Sequence, residues 1–190
     1  MLDKKFWTKT FKEQETFDTS RRKIISESSR ALYASKQAIF SLHRDEVKEA
    51  KAKLAEATKD LISLDKRFGK DFRLRMQGSW KAAVEEYVEA SVFMDFYEGR
   101  KIGGVKGFNV EADEYIGGLS DLTGEILRKM IIWATKKEFE KVEMAGEEIS
   151  NIVQELMKHN LTGYLRTKFD QSKKSLQKSE SVMYDLSLRN

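Results

Sequence analysis

The chain has 190 residues, with 35 Lys and Arg against 31 Asp and Glu, a net charge of +4 and a pI near 9.0. This mild basic excess leans towards an anionic partner without specifying one. It has no cysteine and only two histidines, His43 and His159, which excludes disulfides and thiolate chemistry, argues against a zinc site, and leaves oxygen ligands for any catalytic metal. No apolar run approaches the roughly 20 residues that a bilayer span needs, and Met1 to Lys12 is charged and lacks a signal-peptide core, so the expectation is a cytoplasmic protein with no membrane partner.

Proline is absent, which favours long helices joined by short loops. From Phe17 to about His43, Ile25, Leu32 and Ile39 recur at heptad spacing with Leu42 beside them, predicting one long helix. A second should run from Arg44 or Asp45 through Leu54, Leu61 and Leu64 to a stop near Gly69, with Glu46, Glu49, Lys51 and Lys53 on its wet side. A third carries Trp80, Val84, Val88, Val92 and Phe96 and starts after Gly78, if that glycine breaks the run from Asp71. Gly99, Gly103, Gly104 and Gly107 mark the main loop. Val110 to Trp133 reads as helical, with Gly117 and Gly118 as a candidate interruption, and further helices are predicted over about Phe139 to Lys158 and Thr167 to Leu188. There is no internal repeat, linker or credible strand, so residues 1–190 are expected to form one all-α domain of antiparallel helices.

Two helical stretches are rich in acid. In Val84 to Ala90, Glu86 and Glu89 are three apart and emerge on one face. Between Gly118 and Leu127, Asp121 and Glu125 are four apart and share a face, while Leu122, Ile126 and Met130 mark a different, inward side. If the two helices face one another, hard oxygen ligands converge, a set suited to Mg²⁺ or Mn²⁺ acting on a phosphoryl group. Against this stands the ordinary fate of acidic pairs in a chain with 31 Asp and Glu: solvation, or pairing with Lys or Arg.

The same stretches resemble the translin/TRAX family. Glu86-Tyr87-Val88-Glu89-Ala90 is similar to the TRAX acidic helix. Glu114-Tyr115-Ile116-Gly117-Gly118-Leu119-Ser120-Asp121-Leu122-Thr123-Gly124-Glu125 resembles the family motif Asp-Tyr-Leu-Leu-Gly-x-x-Asp-Leu-Thr-Gly-Glu, with Glu114 and Gly117 as departures and the Asp-Leu-Thr-Gly-Glu core intact. Ser35 to Arg44 looks like the family's first long helix, and Tyr184-Asp185-Leu186-Ser187-Leu188-Arg189 like the close of translin. The resemblance implies a bundle of about seven helices and assembly into hollow oligomers, often octamers, that enclose RNA. It also implies that TRAX-type subunits are metal-dependent ribonucleases, whereas translin-type subunits bind RNA without the same acidic set. The TRAX catalytic acids fall on Glu86, Glu89 and Asp121, with Glu125 the neighbouring acid of the motif. The expectation is therefore an Mg²⁺- or Mn²⁺-dependent endoribonuclease. The short glycine loop from Arg100 to Phe108 and the translin-like C-terminus point to a homo-oligomer in place of a separate translin partner.

RNA contact also needs cations. Lys70, Arg73 and Arg75 precede the acidic helix where translin-type chains look basic and are the first choices, with Arg21, Arg22, Lys36 and Arg44 second; solvated surface charge is the alternative for each. Trp80 and Phe72 could stack on bases, with core the favoured place for Trp80, while His43 and His159 read as packed or hydrogen-bonded residues. Two other functions fit the same composition: a non-catalytic translin-type RNA-binding assembly, and a helical protein-binding scaffold.

Overall fold

A computed structural model describes residues 1–188; Arg189, the end of the translin-like C-terminal stretch, lies outside the described residues. Among these the chain forms seven helices and no strand: α1 (Lys4–His43), α2 (Val47–Phe68), α3 (Phe72–Arg75), α4 (Gly78–Tyr97), α5 (Ala112–Thr135), α6 (Phe139–Met157) and α7 (Gly163–Ser187). This is the expected all-α bundle. α4 packs between α1 and α5, α2 lies against α1, and α5 packs onto both α6 and α7. None of these helices is long and apolar enough to cross a membrane.

The central position of α4 follows from its composition. Trp80, Val84, Tyr87, Val88, Val92, Phe93 and Phe96 are all buried, each large apolar side chain contributing roughly 1.5–3 kcal/mol. α1 differs from the sequence expectation in two respects. Its buried stripe is Ile24, Ser28, Ala31, Ser35, Ala38 and Leu42, alternating steps of four and three, whereas Ile25 of the predicted heptad is exposed. Ile39 and Leu42 are buried and Leu32 packs against the core as expected, but small side chains on the stripe let α2 and α4 approach closely, and the large aliphatics alone left them out of the face. The helix also begins at Lys4, not Phe17. Asp3 caps it by accepting from the Phe6 amide at 3.1 Å, and every residue to Thr16 is exposed, so no inward periodicity marked this turn-rich extension.

The end of α1 is fixed from outside. Lys129, wholly buried on α5, donates through Nζ to the carbonyls of Leu42 (3.0 Å) and His43 (3.2 Å) and to Asp45 Oδ1 (2.6 Å). These are carbonyls that a helix end leaves unpaired. Asp45, at φ 65°, also receives Lys136 at 2.8 Å and Tyr97 at 2.7 Å. Although burial opposes it, these donors hold its carboxyl well below the usual carboxylate range.

Gly117 and Gly118 do not interrupt α5, which runs through them. Their role is close approach. A Cβ on Gly118 would stand 2.7 Å from the Glu85 carbonyl oxygen and 2.9 Å from Val88 Cβ, and one on Gly117 would meet the Glu85 carboxylate at 2.3 Å. Gly118→Ala should therefore destabilise the fold by about 1–3 kcal/mol despite alanine's better helix propensity. Gly124→Ala, where nothing lies within 4 Å, should stabilise by up to about 1 kcal/mol; thermal unfolding of the two variants reads the opposite signs.

Candidate functional site

The glycine contact sets the acid-bearing turns of α4 and α5 side by side, and α1 closes the third wall. Lys36, Ile39, Phe40, Glu86, Glu89, Asp121, Glu125 and Arg128 line one concavity of about 390 Å³. All four acids singled out in the sequence thus face one hollow, together with Lys36 of the seven cations named there. Arg128 joins them one turn beyond Glu125, a signal present in the sequence and not used.

Each acid sits in a different electrostatic setting. Glu86 lies 3.8 Å from Lys36. Glu125 accepts from Nε2 of the buried His43, with Arg128 at 3.9 Å. Asp121 binds the Lys168 ammonium of α7, which also reaches Glu85 at 2.8 Å, and the Tyr164 hydroxyl donates to Glu85 at 2.5 Å. Burial would depress the Lys168 ammonium, but its bonds to Asp121 and Glu85 carry it above the ordinary lysine value. Glu89 has no cation within ion-pair distance among the described residues and is 8% exposed. Burial first, then the charges of Asp121, Glu86 and Glu125, push its carboxyl up to about 9. Burial likewise raises Glu86 and Asp121.

The concavity is therefore short of positive charge, and its donors are the hard carboxylate oxygens that Mg²⁺ and Mn²⁺ take. The residue types fit such an ion. Their posture does not yet enclose one: among the described residues no three His, Asp or Glu side chains gather tightly enough to hold a metal, because Asp121 turns to Lys168 and Glu125 to His43. Lys168, Glu85 and His43 were not read as site residues. Lys168 lies 47 positions from Asp121, and no local spacing couples them.

The remaining cations are dispersed. Arg75, expected to touch RNA, is 4% exposed and forms a two-pronged pair with Glu114 at 2.7 and 2.6 Å, while its Nη2 donates to the Asn109 carbonyl at 3.3 Å. That corrects the sequence reading: Arg75 is a structural cation, and Glu114, the departure at the head of the motif, is its counterion. Lys70 is exposed beside α3. Arg73 lies over the Phe17 ring at 4.9 Å and lines a separate cleft of about 610 Å³ with Lys9 and Lys12. Arg21 donates to Gln77 and Arg22 to Thr19. Arg44 pairs with Glu46 and borders a hollow next to the acidic one, which shares Lys36 and Phe40. Trp80 is core, as read, Phe72 is exposed, and His159, expected to be packed or hydrogen-bonded, is exposed.

Two outcomes test this geometry. Arg75→Met should cost about 3–5 kcal/mol by stranding Glu114, most of it regained in Arg75→Met/Glu114→Leu, as read by chemical denaturation. Because the Glu89 carboxyl is raised from 4.5 to about 9, the folded chain holds a proton that the unfolded chain releases, so this group's contribution to stability falls as pH rises across that window. Glu89→Gln should melt close to the wild type near pH 4.5 and above it at pH 8, by at least about 2–4 °C, the shift expected for 1 kcal/mol at this size.

The chain is similar to known proteins in sequence and in shape. The sequence profile of the Translin family matches residues 19–190. No curated protein matches the chain significantly. Among solved structures, NeC3PO in its apo form superposes with a TM-score of 0.86 at 23% identity, covering 97% of each chain. AfC3PO in complex with duplex RNA gives 0.86 at 18% identity over 97% of each chain. AfC3PO alone gives 0.86 at 19%, over 97% of this chain and 98% of that one.

Proposed function

The chain belongs to the translin family, and from that premise we propose that it is a TRAX-type subunit of an RNA-binding homo-oligomer that hydrolyses RNA phosphodiesters. The observation that carries this is the meeting of Glu86, Glu89, Asp121 and Glu125 in one concavity edged by Lys36 and Arg128. A translin-type RNA binder needs cations but has no use for a buried carboxylate with no cation within ion-pair distance among the described residues. The shape shared with AfC3PO, a protein solved with duplex RNA, supports RNA as the ligand, and assembly into a closed oligomer such as an octamer belongs to the same proposal.

A bound Mg²⁺ or Mn²⁺ would supply a hydroxide nucleophile and offset charge on the phosphoryl oxygens. Glu86, Glu89 and Asp121 would hold the ion, with Glu125 as a further ligand or an orienting group for water. His43 keeps Glu125 in place through Nε2. Lys36 and Arg128 stand at the rim, where a phosphate flanking the cleaved bond can be received. The exposed Phe40 ring, 5.1 Å beneath the Arg128 guanidinium, offers an apolar face beside that cation.

The Asp121–Lys168 contact favours a second reading, a non-catalytic RNA-binding subunit in which Lys168 permanently fills the place of a metal. Incubation of a labelled RNA with the chain, with and without Mn²⁺ or Mg²⁺, decides between them. The nuclease reading expects metal-dependent cleavage that falls at least about 100-fold in Glu89→Ala while binding persists. Salt-sensitive binding with no cleavage under any metal condition would establish the second reading. Absence of binding at low salt would leave a protein-binding scaffold.

A further inference from the structure

Residues 4–16 of α1 form a helical arm with every side chain exposed. Phe6, Trp7 and Phe11 are 61%, 42% and 59% exposed, and Trp7 stacks on Phe11 at 5.6 Å. A helix of this length is marginal in water by itself, where most helical stability comes from packing one face. A cluster of large apolar side chains on such a helix marks a contact surface. Residues 4–16 contain four lysines against two glutamates, Glu13 and Glu15, with Lys9 3.9 Å from Glu13, which leaves the arm with a net positive charge.

The complement is on the same molecule, on α6 and α7, which α4 and α5 separate from α1. α6 carries five glutamates and one lysine. With α7 it forms a groove of about 480 Å³, in which Glu143, Glu147 and Glu180 stand around Leu176 and Met183. Among the described residues no Lys or Arg lies within ion-pair distance of those three glutamates. Basic and apolar on one surface, acidic and apolar on the other, the two have the pairing that specifies a partner and its orientation.

We propose that the arm of one chain docks in the α6–α7 groove of a second copy. Phe6, Trp7 and Phe11 would cover the Leu176–Met183 floor, and Lys4, Lys5, Lys9 and Lys12 would meet the three glutamates. This takes further the homo-oligomeric part of the proposed function and is independent of metal, cleavage and RNA. RNA would suit the arm's lysines and aromatics, but it would leave the acidic groove without a counterpart.

The test is the mass of the full-length chain by light scattering, in the absence of RNA and divalent ions, with helicity checked by circular dichroism. Lys9→Glu/Lys12→Glu gives an acidic arm facing acidic grooves, and Glu143→Lys/Glu147→Lys gives a basic groove facing basic arms. Each is expected to lose the wild-type assembly while keeping its helicity. An equimolar mixture is expected to regain it, since each arm then finds an opposite groove. Three results would overturn the proposal: a monomeric wild type, full assembly retained in either variant (with a loss of RNA affinity confined to the arm variant then assigning the arm to RNA), or an equimolar mixture that stays dissociated. Any of the three leaves the cleavage assay of Glu89 untouched.

Discussion

The backbone approach of α5 to α4 is the constraint on which the site depends. At Gly118 there is no room for a single carbon atom against the Glu85 carbonyl and Val88, so the two helices lie closer than ordinary side chains would allow. That closeness sets Glu86 and Glu89 across from Asp121 and Glu125, and it does so within a helix pair whose other faces are committed to core. The price is electrostatic: carboxylates that would each be harmless on a solvated helix now repel one another in a partly dry hollow.

The molecule meets that repulsion in three ways. It borrows a lysine from α7 for Asp121, it uses a buried histidine from α1 for Glu125, and it raises the Glu89 carboxyl to about 9. Two further helices thus converge on the acids of α4 and α5. A purely structural site would have been better served by replacing Glu89 with an apolar residue, as buried ionisable groups are commonly replaceable without loss of stability. Its retention amid Val88, Ala90 and Val92 is a cost in the folded state that makes sense at a place where charge is to be received.

Much of this was legible in the chain itself. The periodic helices, the glycine loop and the two acidic turns have local signatures, and the four acids line one concavity, as their spacing allowed. What escaped was non-local or small. The inward stripe of α1 is built largely from Ser28, Ala31, Ser35 and Ala38, whose burial depends on how near the neighbouring helix comes and not on their own hydrophobicity. Gly117 and Gly118 read as breakers because a glycine's permissiveness is visible in sequence while the neighbour that demands it is not. Arg75 read as a surface cation because its counterion, Glu114, is 39 positions away, and the extension from Lys4 to Thr16 had no inward face to announce it.

One buried ammonium has a wider reach than its own bonds. Lys129 grips the last carbonyls of α1 and the turn that follows, so the far end of this 40-residue helix is anchored to α5 and cannot slide or swivel freely. At 1.5 Å per residue the helix is about 60 Å long, a stiff spoke mounted on a fixed hub. Where its free tip points is therefore set jointly by that grip and by the packing of α1 on α2 and α4, and the spacing between neighbouring hollows in any assembly built through that tip would be inherited from both.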